Sequence, residues 1–103
     1  MNALLNIGMR QGRNGPMIGT DDAVQAIVAQ GMDPQQWERV PGDQEDTLVV
    51  KVNRASGIKV DALACALGQE CIAVYDLDGC YGELVGPGAS LTDEFDRKRF
   101  MVL

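Results

Sequence analysis

Near the start of the chain Leu5, Ile7 and Met9 alternate with Leu4, Asn6, Gly8 and Arg10. A period of two with one strongly apolar side predicts a strand over residues 3–10. Gly12 to Gly15 and Pro16 interrupt the pattern and predict a turn. A helical period follows. Thr20 can cap its first turn, and Asp21 and Asp22 complement the positive end of the helix dipole. Val24, Ile27 and Val28 form the expected buried stripe, and Gly31 ends the helix.

Asp33 and Pro34 followed by Gln36 make a second helix-start signal, so a short helical turn is expected before any strand at Trp37 to Val40. Pro41 cannot donate to a ladder, which puts that strand at a sheet edge, and GDQED at 42–46 reads as an exposed connection. TLVVKVN at 47–53 is β-branched and alternating, a sheet strand. After a turn at Ser56 and Gly57, Val60, Leu63, Ala64 and Leu67 recur at helical spacing, with Gly68 as the stop.

Two strands, 71–77 and 80–85, flank Asp78-Gly79, a strong two-residue hairpin signal. Such a turn sets Asp76 opposite Tyr81. Cys71, Ala73, Tyr75, Leu77, Cys80 and Leu84 then share one side, and Ile72, Val74, Asp76, Tyr81, Glu83 and Val85 the other. Both sides are partly apolar, and a bulge at Gly79 would shift the register. Beyond the hairpin, Ser90 and Asp93 resemble a capping box. The apolar finish Phe100-Met101-Val102-Leu103 reads as an edge strand or, alternatively, as a surface packed against a second copy in an isologous dimer.

In order, the elements resemble the ferredoxin-like βαββαβ arrangement. The expected fold is α+β: an antiparallel sheet with two helices on one face, plus a C-terminal hairpin or edge strand. With 103 residues the chain builds one core, a single domain over 1–103. That arrangement hosts many unrelated functions and supplies none by itself.

Composition narrows the field. The chain is 46% apolar and 23% charged, too apolar for a disordered tail. No run approaches the ~20 apolar residues of a bilayer span, and Met1 to Gly12 lacks the basic start and cleavage site of a secretory signal. A cytoplasmic location is expected. Cys65, Cys71 and Cys80 are odd in number and irregularly spaced, which points to free thiols and not to disulfides or a zinc knuckle. The absence of histidine removes the usual general base and the Ser/His/Asp and Cys/His catalytic sets.

Charge is unevenly divided. The net charge is −6; residues 1–19 carry Arg10 and Arg13 for +2, 20–50 carry seven acids against Arg39 for −6, and 51–103 carry eight acids against six bases for −2. Asp33, Glu38, Asp43, Glu45 and Asp46 fall within fourteen residues. Such a cluster commonly serves only solubility. As a functional surface it would steer the protein to a basic partner, such as one that normally holds nucleic acid, while opposing direct contact with nucleic acid or anionic lipid. Trp37 lies inside the cluster; a lone tryptophan is more often core than anchor, yet it joins the candidate partner-binding set of Asp33, Trp37, Glu38, Asp43, Glu45 and Asp46.

Other candidate chemistry is weak. Asp76, Asp78 and Glu83 do not match a calcium loop, since glycine falls at the fourth position from Asp76 where an EF-hand needs it at the sixth. Cys80 has no histidine to activate it. GRNGP at 12–16 and GPG at 86–88 match neither phosphate-binding fingerprint and read as turns. No cofactor, metal or catalytic residue is therefore expected.

Residues 48–87, LVVKVNRASGIKVDALACALGQECIAVYDLDGCYGELVGP, resemble small accessory proteins of phages and mobile elements, the anti-CRISPR type of host-defence inhibitor among them. The resemblance implies a non-enzymatic protein that occupies a basic nucleic-acid-binding or assembly surface of a host defence complex. It transfers no functional residue. Alternatives from other classes are an oligomeric small-molecule sponge and a structural or regulatory homodimer.

Overall fold

The first strand, β1 (Ala3–Gly8), is the centre of the molecule, and its alternation is realised in full: Ala3, Leu5 and Ile7 are completely buried while Leu4, Asn6 and Gly8 are not. The computed structural model describes residues 1–12, 15–79, 81–88 and 100–101. After β1 come α1 (Thr20–Ala29), β2 (Asp33–Val40), β3 (Thr47–Asn53), α2 (Gly57–Ala66), β4 (Ile72–Asp76), β5 (Tyr81–Val85) and the two-residue β6 (Phe100–Met101). The strands form one sheet in the order β2-β3-β1-β4-β5-β6, with every neighbouring pair antiparallel.

Register explains the core. Leu5 stands between Val50 of β3 and Val74 of β4, and Ile7 stands opposite Leu48. Cross-strand partners point to the same side of a pleated sheet. One face is therefore a continuous apolar layer, and Ala23 and Ile27 of α1 and Val60, Leu63 and Ala64 of α2 close over it. Both helices cover this face, α1 beside β2 and α2 above β4 and β5.

The hairpin follows the expected register. Asp76 pairs with Tyr81 and Ala73 with Leu84, and the side bearing Ile72, Val74 and Val85 is the one that meets the helices. Asp76 Oδ1 accepts from the backbone N–H groups of Asp78 (2.8 Å) and Gly79 (3.0 Å), so a side-chain carboxylate closes the turn. Strand β4 is shorter than the expected 71–77. Gly86 and Gly88 pack on the α2–β4 connection, where Gly88 N–H donates to Glu70 O at 2.8 Å. The GPG segment is structural.

Four expectations are corrected. No helical turn precedes β2: the strand starts at Asp33, with a register shift between Pro34 and Gln36 absorbing the proline. Its place at the sheet edge is as expected. Thr20 does not cap α1; Gly19 holds the N-cap position, and the Thr20 hydroxyl instead accepts from Arg39 Nη1 at 3.1 Å. Val28 is not core but 57% exposed, because Ala23 and Ile27 define the buried stripe. Trp37 is not core either. It pairs with Val50 at the sheet's outer edge, where α1 leaves it 47% exposed. In α2 the stripe held, and Ser56 Oγ accepts from Lys59 N–H at 3.3 Å as an unforeseen N-cap.

Phe100 and Met101 pair with Gly82 and Tyr81 at the far edge, as an edge strand would. Arg13, Asn14, Cys80 and the capping pair Ser90 and Asp93 lie outside the described residues.

Candidate functional site

Arg39 organises one end of the sheet. Its Nε donates to Asp46 Oδ2 at 2.7 Å, and its Nη1 donates to Ile18 O at 2.8 Å and to Thr20 Oγ1. These bonds tie the β2–β3 connection to the first turn of α1. Both segments carry acids: Asp21 and Asp22 in the first turn of α1, and Asp43, Glu45 and Asp46 in the connection. Arg10 is the second base there, donating to Gln44 O at 2.6 Å and Gly15 O at 3.1 Å. With five acids beside Arg39 and Arg10, the two tied segments carry a surplus of negative charge. Sequence spacing did not reveal that the first turn of α1 is tied to this loop, since the two are some twenty residues apart; Arg39 between them is the signal.

Within this end Asp46 differs from its neighbours. The hydrogen bond from Arg39 holds its carboxyl below the ordinary aspartate range, outweighing the opposite effect of partial burial. Arg39–Asp46 is the one ion pair among the described residues, so Asp43 and Glu45 keep exposed charges. The Glu45 carboxylate leans over Gly8, where an added Cβ would lie 2.8 Å from Oε1.

Asp33 and Glu38 do not join the cluster. Asp33 begins β2, seven residues before Val40, or roughly 23 Å away at ~3.3 Å per residue, and accepts from Gln35 Nε2 at 2.8 Å. Glu38 pairs with Val49 and faces away from the helices, whereas Trp37 and Arg39 share the helix side. The six candidate residues thus occupy four places: Asp43, Glu45 and Asp46 in the β2–β3 connection, Asp33 at the start of the edge strand, Glu38 on the face away from the helices and Trp37 on the helix side.

The face opposite the helices has no covering element among the described residues. One row across it reads Glu38, Val49, Asn6, Ala73, Leu84, and the next Gln36, Lys51, Leu4, Tyr75, Gly82. Val40 and Leu84 on this face are 43% and 41% exposed. Solvated antiparallel faces are ordinarily polar; this one is half apolar. An open trough of about 690 Å³ runs along the β2 side of it, lined by Leu4, Gln36, Glu38, Val49 and Lys51, with Trp37 at the rim. Asn6 Oδ1 is enclosed and accepts no hydrogen bond from the described residues.

A smaller recess of about 380 Å³ at the acidic end includes Arg10, Gln44, Glu45, Gln69, Glu70 and Cys71. Burial pushes the Cys71 thiol up, and the charge of Glu70 adds to the shift, so at neutral pH it is a poor nucleophile. Among the described residues no three of His, Cys, Asp and Glu are placed to hold a metal ion. None of their helices is long and apolar enough to cross a membrane.

Fold and surface define a small antiparallel α+β structure with an acidic β2–β3 connection and a sheet face that none of the described elements covers. Comparison with protein-family models, curated proteins and solved structures returned no match.

Proposed function

We propose that this chain is a non-enzymatic protein-binding domain that presents its acidic end to a basic surface of a larger assembly. The observation that carries the reading is the acidic β2–β3 connection, tied by Arg39 to the acidic first turn of α1, with Asp43 and Glu45 exposed and making no ion pair among the described residues. Concentrated charge of one sign at a rigid end accelerates encounter with an oppositely charged surface and disfavours nucleic acid and anionic lipid as direct ligands.

The assembly we propose is a bacterial host defence complex, bound and inhibited in the host cytoplasm by a phage or mobile-element protein of the anti-CRISPR type. That step rests on the resemblance of residues 48–87, which in this fold are β3, α2, β4 and β5, the frame and not the acidic end. The β2-β3-β1-β4 order supports a ferredoxin-like frame extended by β5 and β6. Likeness of frame carries no function.

Co-expression with a panel of nucleic-acid-guided defence systems tests the reading. The wild-type chain is expected to restore phage plaques against at least one system, and Asp43→Lys with Glu45→Lys to abolish the effect. Asp46 is left untouched because its loss would break the Arg39 pair. Full protection by the host in every case, or relief undiminished by the double reversal, contradicts the proposal.

A further inference from the structure

The sheet face left uncovered by the described residues adjoins the acidic end at Gly8, where Glu45 leans over it, and has its own pattern beyond that point. Between its ends it bears one acid and one base, Glu38 and Lys51, on neighbouring strands and diagonal to each other. No ion pair joins them within the chain. The surrounding positions are Leu4, Val49, Ala73 and Leu84. In a chain of net charge −6 these two charges balance each other, so between its ends the face offers a second copy no surplus of like charge.

We propose that the face is a self-complementary dimer surface, on which two copies stack so that Glu38 of each meets Lys51 of the other. The lattice of the sheet supports the match. With strands ~4.8 Å apart and ~6.8 Å between same-face residues, the twofold axis that exchanges Glu38 with Lys51 runs beside Val49 and Asn6. Val49 then packs on its own copy. The same operation lays Leu4 near Val40 of the second copy, covering an exposed valine.

Five strands and six residues per strand span roughly 24 by 20 Å, toward the small end of specific interfaces. The dimer therefore dissociates on dilution. The inference does not depend on the acidic end, and its variants leave Asp43 and Glu45 unchanged.

Sedimentation velocity across the micromolar range tests it. The wild-type chain is expected to shift with concentration from 11.1 kDa toward twice that mass. Glu38→Lys alone and Lys51→Glu alone place like charges across the axis, and each should remain monomeric. An equal mixture of the two variants should form a heterodimer, because both contacts then regain opposite charges. That recovery also shows that both variants fold. A wild-type chain that stays monomeric throughout leaves the face to a different protein and overturns the proposal, as do single variants that dimerise like the wild type or a mixture that stays monomeric.

Discussion

Arg39 and Asp46 are seven positions apart, yet the 2.7 Å bond between them joins the edge strand to the connection that follows it. Because the same guanidinium also donates to Ile18 O and Thr20 Oγ1, one side chain fixes the approach of α1 to the sheet. The folded Asp46 titrates below its unfolded value. Its contribution is thus fully present above the ordinary aspartate value near ~4 and is lost as pH falls through the lower folded value. Thermal melts of Asp46→Asn should show a lower melting temperature than wild type at neutral pH and a smaller gap in strong acid. An unchanged gap across that window would count against the pair.

Replacing Arg39 by Met keeps much of the aliphatic stem but removes all three donations. It should lower the melting temperature more than Asp46→Asn does, since two backbone or hydroxyl acceptors on the α1 side also lose their donor. Hydrogen exchange should localise the loss to α1 and β2.

Ile27 and Val28 are neighbours on α1 with opposite surroundings, completely buried and 57% exposed. Ile27→Ala should cost about 2 to 5 kcal/mol, whereas Val28→Ala should stay within about 0.5 kcal/mol of wild type. Denaturant titration of the two variants measures the contrast directly.

Gly86 has φ +154°, and a Cβ there would lie 2.4 Å from Glu70 O and 2.6 Å from Cys71 Cα. Both contacts are with backbone, which cannot swing aside. Gly86→Ala should therefore cost on the order of 2 kcal/mol or more and disturb the α2–β4 connection, visible in denaturant titration and amide shifts.

Cys65 is exposed on α2, while Cys71 is partly enclosed with its thiol pushed up. Iodoacetamide at neutral pH should modify Cys65 first, with Cys71 accelerating only as pH rises. Peptide mapping by mass spectrometry separates the two rates; equal rates would mean that Cys71 is more open than its surroundings indicate.

Much of the frame was legible because period and register agree. The alternation of β1 and β3 and the stripe Val60, Leu63, Ala64, Leu67 each follow from one local pattern, and Asp78-Gly79 sets the register of the hairpin. DPQQWERV was not legible as a full strand because it has neither alternation nor a clear apolar side. It is held extended by pairing with β3, and a bulge lets Pro34 into the edge. The acidic loop could be read from composition. Its tie to the first turn of α1 could not, because it depends on Arg39 bonding Asp46 and Thr20 together. The uncovered face was only hinted at by the apolar residues on both sides of the hairpin; the diagonal placement of Glu38 and Lys51 on it emerges from strand register.

Stoichiometric binding through the acidic end is the central claim, and the most direct measurement is native mass spectrometry of complexes captured from nuclease-treated bacterial lysate. Wild-type chain and the Asp43→Lys, Glu45→Lys variant would be captured side by side. The account predicts a defence complex in fixed ratio with the wild type and its loss with the equally folded variant. Recovery of the same complex by both, or of the chain alone carrying a bound metabolite, would contradict it.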